Sequence, residues 1–196
     1  MFTGIIETTG IVTEMADAGT NKSFWIDSSI SPQLSIDQSV SHDGICLTVE
    51  AILDSRHRIT AIDETITKTN IGNWIKNSVI NLERCLPMNG RIDGHIVQGH
   101  VDAVASCVNI IDKNGSREYI FEFDKQYSAL VIEKGSITIN GISLTIFNVA
   151  ADRFQVAIIP YTMEHTNMKY VQKGDHVNIE FDMIGKYVNR FMQFKQ

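Results

Sequence analysis

Apolar and polar residues alternate at period two along several short stretches of the chain, as in Ile45-Leu47-Val49, Ile137-Ile139 and Ile142-Leu144-Ile146. Successive side chains of a strand point to opposite faces, so this alternation predicts half-buried β-strands. Arg58 to Ile62, Val79 to Leu82, Tyr119 to Phe123, Phe154 to Ile159 and His176 to Phe181 are further candidates. They are rich in Ile, Val, Thr and Phe and bounded by turn-forming Gly, Asn and Asp. Short helical turns are expected near Thr67 to Trp74 and near Glu164 to Tyr170. The pattern changes from Asp182 to Lys195. There Met183, Tyr187 and Phe191 are four apart, as are Ile184 and Val188, with Met192 a turn further. That spacing predicts a helix with a broad apolar face, docked on its own barrel or used for self-association.

The strands belong to a unit written twice. Asp43-Gly44-Ile45-Cys46-Leu47-Thr48 returns 97 residues later as Asn140-Gly141-Ile142-Ser143-Leu144-Thr145. The register holds through Thr65 on Thr162, Thr69-Asn70 on Thr166-Asn167 and Asn81-Leu82-Glu83 on Asn178-Ile179-Glu180. Between Val40 and Arg84, 12 of 45 positions are identical at that offset. Gly4-Ile5-Ile6-Glu7 corresponds to Gly99-His100-Val101-Asp102 at an offset of 95. The copies predict a first domain over residues 1–88 and a second over 96–184, joined near Pro87-Met88-Asn89-Gly90. About six short strands in each suit an all-β fold of two small closed barrels, which leave no exposed edges. The terminal helix, 183–196, follows.

Composition narrows the chemistry. A formal charge of −6 without a basic run argues against nucleic acid as a partner. Cys46, Cys85 and Cys107 have no short paired spacing and the six histidines form no zinc pattern, so no metal is expected. Met1-Phe2-Thr3-Gly4 lacks the charged and apolar regions of a signal peptide, and no apolar run approaches the roughly 18 residues of a membrane span. A soluble protein of the reducing cytoplasm, without a membrane partner, is expected.

Several blocks resemble one family. Met1-Phe2-Thr3-Gly4-Ile5-Ile6-Glu7, Gly44-Ile45-Cys46-Leu47-Thr48-Val49, Asn81-Leu82-Glu83-Arg84 and Gly94-His95-Ile96-Val97-Gln98-Gly99-His100-Val101-Asp102 look like riboflavin synthases of the lumazine-binding domain family. Lys134-Gly135-Ser136-Ile137, Gly141-Ile142-Ser143-Leu144-Thr145 and Ile159-Pro160 with Thr162 complete a set that runs in order along nearly the whole chain. The resemblance implies two six-stranded Greek-key barrels and a C-terminal helix, assembled as a homotrimer. Each site would lie between the N-terminal barrel of one subunit and the C-terminal barrel of a neighbour. Association with lumazine synthase is a further partner to be considered.

The implied reaction is a dismutation of two molecules of 6,7-dimethyl-8-ribityllumazine to riboflavin and 5-amino-6-ribitylaminouracil. Donor and acceptor are the same compound, so electrons balance and no cofactor is expected. The resemblance marks Cys46, His100, Ser143, Thr145 and Asp182 as catalytic candidates. Their ordinary readings are a buried small thiol, a structural histidine, polar strand residues and the start of the terminal helix. It assigns substrate contacts to Gly4, Ile5 and Ile6, to Cys46, Leu47 and Thr48, and to Thr60, Ala61, Ile62, Asp63, Glu64 and Thr65. Gly99, His100 and Val101, Lys134, then Ser143, Leu144 and Thr145 follow, with Ile159, Pro160, Tyr161, Thr162, Met163 and Glu164 closing the list. His95 is expected to be structural, and Cys85 and Cys107 to be packing residues. Three rival readings share parts of this pattern: a non-catalytic lumazine- or flavin-binding antenna protein, a flavin-reductase-like barrel and an oligonucleotide-binding barrel pair.

Overall fold

The duplication is carried into three dimensions strand by strand. A computed structural model describes residues 1–194; the last two residues of the expected helix, Lys195 and Gln196, lie outside the described residues. The first copy contains β1 (Thr8–Ala18), β2 (Asn21–Asp27), β3 (Ser39–His42), β4 (Ile45–Thr48), β5 (Ala51–Leu53), β6 (Arg56–Ala61), α1 (Asp63–Lys68) and β7 (Val79–Arg84). The second contains β8 (Ala103–Asp112), β9 (Arg117–Glu122), β10 (Ser136–Ile139), β11 (Ile142–Phe147), β12 (Arg153–Ile158), α2 (Pro160–His165) and β13 (His176–Phe181), and α3 (Met183–Gln193) follows.

The second copy closes as a six-stranded antiparallel barrel in the order β10-β11-β12-β9-β8-β13. The first has the same path in a seven-stranded sheet, β4-β3-β7-β1-β2-β6-β5. The stretch matching β11 is divided there into β4 and β5 on either side of Val49 and Glu50. Its backbone bonds follow those of the second copy: Val49 donates to the Gln38 carbonyl at 2.9 Å where Ile146 donates to Gly135 at 3.0 Å, and Glu50 donates to Arg58 of β6 at 2.9 Å. The β1–β2 and β8–β9 pairs share a bulge at the same offset of 95, between Val12 and Glu14 and between Cys107 and Asn109. The offset becomes 97 in the crossover to the third strand, where the 3-10 turn Ser31–Gln33 is replaced by the longer Lys125–Leu130.

Each barrel encloses its own core. Inward positions alternate with half-exposed ones, as in β6, where His57, Ile59 and Ala61 are fully buried. Phe24, Ile26, Ile80 and Leu82 pack in the first core, and Tyr119, Phe121, Phe154 and Phe181 in the second. The barrels meet about a pseudo-two-fold axis at Gly44 and Gly141, both with left-handed backbone (φ 81° and 78°). A Cβ on either would stand 2.8 Å from the other's backbone nitrogen, so only glycine permits this approach. Around the glycines the Asn pairs already matched by the repeat exchange bonds across the axis. Asn167 donates its amide to Asn81 Oδ1 at 2.7 Å, and Asn70 donates its amide to Asn178 Oδ1 at 2.7 Å.

Candidate active site

β11 pairs with β10, and its side chains alternate as the pleat requires, so Ser143 and Thr145 share the face turned away from the core. On that face is a cavity of about 490 Å³. Six of the residues singled out from the sequence line it: Lys134, Ser143, Leu144, Thr145, Ile159 and Thr162; Phe147 and Ala157 complete the wall. Lys134 occupies a left-handed turn (φ 64°) and holds its ammonium 5.2 Å from the centre of the Phe147 ring. The matching positions of the first barrel are Asp37, also left-handed at φ 68°, and Glu50. A cation over an aromatic ring in one copy thus faces two carboxylates in the other, and the two outer faces differ in charge.

The segments preceding the barrels cross over. Ser143 donates its amide to the Gly4 carbonyl at 2.8 Å, and Cys46 donates its amide to the Gly99 carbonyl at 2.8 Å. The N-terminal segment therefore lies against the second barrel, and residues 99–101 against the first. Both glycines are left-handed (φ 77° and 80°), and a Cβ on either would lie 2.6 Å from the Cβ of the residue it meets. The site residues fall into two groups. One holds Lys134, Ser143 to Thr145 and Ile159 to Glu164 with Gly4 to Ile6; the other holds Cys46 to Thr48 and Thr60 to Thr65 with Gly99 to Val101. A backbone bridge between Phe2 and Val97 ties the crossing segments together.

Two glutamates fix these segments. Glu83 of β7 accepts from the Thr3 amide (2.7 Å), the Thr3 hydroxyl (2.7 Å) and the Gly4 amide (3.0 Å). Glu180 of β13 accepts from the amides of Gln98 (2.8 Å), Gly99 (2.9 Å) and His100 (2.9 Å). Burial pushes both carboxyls above the usual range, and the donated hydrogen bonds oppose it. The repeat pairs these two positions, and nothing in their spacing marks the role.

Other predicted residues take distinct places. Burial raises the half-buried Cys46 thiol, with a hydrogen bond from Ser39 opposing, so the neutral thiol is favoured. Cys107 is buried and pushed up to about 11, chiefly by desolvation, which fits a packing residue. Asp182 caps α3, accepting from the Ile184 amide at 3.0 Å. His95, expected to be structural, places Nδ1 2.7 Å from the Ser143 hydroxyl. Its pKa is lowered by burial, while the Asp182 carboxylate raises it. Its position only five residues before His100 gave no sign of this contact. Side chains at the edges turn elsewhere. Glu64 pairs with Lys68 at 2.6 Å, Tyr161 stacks on His165 with centroids 4.0 Å apart, and the Met163 sulfur accepts from the Tyr119 hydroxyl at 3.4 Å. Ala61 and Leu47 point into the first core. Among the described residues no cluster of His, Cys, Asp and Glu could hold a metal ion, and no helix is long and apolar enough to cross a membrane.

Duplicated Greek-key barrels that exchange their leading segments, each with a polar outer strand beside the exchanged segment, define a class of paired small-molecule binding folds. The chain belongs to the lumazine binding domain family, whose sequence profile matches residues 3–85 and again residues 98–182. It is 39% identical to the riboflavin synthase of Bacillus subtilis (strain 168) over 98% of this chain and 90% of that one. It is 35% identical to the riboflavin synthase of Mycobacterium tuberculosis (strain H37Rv) over 98% of both chains. The crystal structure of LumP complexed with riboflavin shares the fold, with a TM-score of 0.86 at 23% identity over 92% of this chain and 99% of that one.

Proposed function

We infer that the chain is an enzyme with riboflavin synthase activity, converting two molecules of 6,7-dimethyl-8-ribityllumazine to riboflavin and 5-amino-6-ribitylaminouracil. The observation that carries this reading is the pair of related outer faces, Cys46 to Thr48 with Gly99 and Ser143 to Thr145 with Gly4, in a chain that matches riboflavin synthases along nearly its full length. A reaction between two identical rings needs two ring sites. Holding both rings in register converts an encounter into a unimolecular step, worth up to roughly 7–11 kcal/mol of barrier in ideal cases.

Backbone groups of the exchanged segments and the paired Thr65 and Thr162 would anchor the pyrimidine edge and ribityl chain. Cys46, His100, Ser143 and Thr145 would stand at the reacting carbons, and Lys134 would meet the ring in the second barrel. Asp182, engaged as a helix cap, would act through its charge near His95. The division into residues 1–88, 96–184 and the helix 183–196 belongs to this reading. So do a homotrimer, a cytoplasmic location and any contact with lumazine synthase.

The test is incubation of the purified protein with 6,7-dimethyl-8-ribityllumazine alone, following riboflavin by absorbance. Riboflavin is expected at half the molar amount of lumazine consumed. Lumazine bound without turnover would replace this reading by that of a non-catalytic binding protein of the same fold.

A further inference from the structure

Glu83 and Glu180 are almost fully buried, 4% and 2% exposed, yet neither forms an ion pair within 4.0 Å with a described basic side chain. Each carboxylate spends its acceptor capacity on the segment that leaves its own barrel for the other. Three donors on one carboxylate, all from consecutive residues or a single turn, fix a loop far more narrowly than packing does. The segments also bury Phe2 and Val97, which bridge them, but where they reach the outer faces they lie open: Ile5 is 47% exposed and His100 is also exposed.

We propose that Glu83 and Glu180 are positioning residues that act across the barrels, each setting the ligand site of the opposite one. This rests on the reading of the two outer faces as ligand sites. Glu180, rooted in the second barrel, holds Gly99 and His100 against Cys46 of the first. Glu83, rooted in the first barrel, holds Gly4 against Ser143 of the second. Damage at either glutamate is therefore felt at the site on the other barrel, while the site on its own barrel is spared.

The experiment uses riboflavin as the probe and two side chains as reporters. Cys46 is followed by alkylation and Lys134 by acetylation, each read by mass spectrometry of the full-length protein as riboflavin is added. E180Q keeps the size of the side chain but turns an NH2 toward a backbone N–H. It raises the riboflavin concentration needed to protect Cys46 by about tenfold, the equivalent of one charge-assisted hydrogen bond, and leaves protection of Lys134 within about twofold. E83Q does the reverse. Equal effects at both reporters, an effect on the same barrel, or no effect in a folded variant would overturn the proposal.

Hydrogen exchange on the unmodified protein decides the matter if a variant fails to fold. The amides of Gly4, Gly99 and His100 are expected to exchange as slowly as those of β7 and β13; exchange at open-loop rates overturns the clamp. Riboflavin that protects neither reporter in the unmodified protein counts against the ligand sites, and the exchange measurement still decides the clamp by itself.

Discussion

A single departure from symmetry shows how much one atom matters at the barrel junction. Asn140 donates through Nδ2 to Asn167 Oδ1 at 3.4 Å, and Asn81 donates to the same oxygen at 2.9 Å. Asp43 stands where the repeat would place a second Asn140, and the equivalent acceptor, Asn70 Oδ1, is the one buried side-chain polar atom without a partner among the described residues. A carboxylate cannot donate to it; a carboxylic acid can. Desolvation pushes Asp43 up to about 8, with hydrogen bonds from Asn81 and Asn167 opposing. The folded pKa exceeds the unfolded one, near 3.9, so the group's contribution to stability is complete below about pH 4. It is then lost as pH rises through about 8. D43N supplies a permanent donor, so it is expected to flatten the decline in melting temperature between pH 5 and pH 9. It should be the more stable form at pH 9 by about 1–3 kcal/mol, the cost of an unpaired buried acceptor. A variant whose pH profile parallels that of the unmodified protein would show that Asp43 is ionised throughout.

Among the elements, the two barrel interiors differ more than their ladders do. The first buries a hydrogen-bonded histidine pair where the second has Ile139 and Phe154. His42 donates Nδ1–H to the Val40 carbonyl (3.0 Å), which leaves its Nε2 to accept from His57 Nε2–H at 2.8 Å; His57 Nδ1 then accepts from Ser31 at 2.7 Å. This network satisfies every ring nitrogen only when both rings are neutral. Burial holds His57 down to about 4 and His42 well below its ordinary value, where the His57 charge adds to the lowering. Folded pKa values lie below the unfolded value near 6.5, so this stability is present above pH 6.5 and is lost as pH falls toward 4. The slope reaches at most about 1.4 kcal/mol per pH unit for each histidine. The double substitution H42I/H57F is expected to reduce the fall in melting temperature between pH 7 and pH 4.5, whatever it costs at neutral pH. Equal acid slopes in the two proteins would place the sensitivity elsewhere.

The same elements show what the sequence made legible. The period-two runs at Ile142–Phe147 and His176–Phe181 reappear as β11 and β13, and the 97-residue offset placed Cys46 opposite Ser143. β9 answers to the candidate Tyr119 to Phe123, whereas β1 and β8 escaped the pattern because a bulge in each shifts the alternation by one residue, so no clean run survives. The expected turns are met by 3-10 turns at Asn70–Asn73 and Asn167–Tyr170, and α1 and α2 precede them because Asp63 and Pro160 open short helices upstream. The glutamate clamps and the His95–Ser143 contact were invisible for a simpler reason: they join residues 48 to 82 positions apart, with no periodicity to announce them.

For the whole molecule the decisive feature is what α3 leaves uncovered. Lys186 anchors the helix to Asp102 at 2.6 Å, and Asp182 caps it. Its apolar residues nevertheless stay largely uncovered: Ile184, Tyr187, Val188 and Met192 are all more than half exposed, and Ile184, Val188 and Met192 border an open cavity of about 430 Å³ against Ala129, Leu130 and Ile132. A helix this short gains its stability from packing, and an exposed apolar stripe of this kind marks an association surface. The cavity beside Ser143 is lined entirely by residues 134–162, so no strand of the first barrel of the same chain supplies a wall for a second ring. A head-to-tail cyclic assembly would bring the first barrel of a neighbour to that open side, using unlike patches on each contact. The double substitution Y187E/V188E places two charges on the stripe and alters no strand of either barrel. If the proposed trimer forms, the substitution is expected to convert it, measured by light scattering after size-exclusion chromatography, into a monomer with unchanged circular dichroism. Turnover of the lumazine should fall at least about tenfold while riboflavin still protects Lys134, because the ring site survives and only the pairing of rings is lost. A monomer of undiminished activity would mean that one chain stacks both rings by itself.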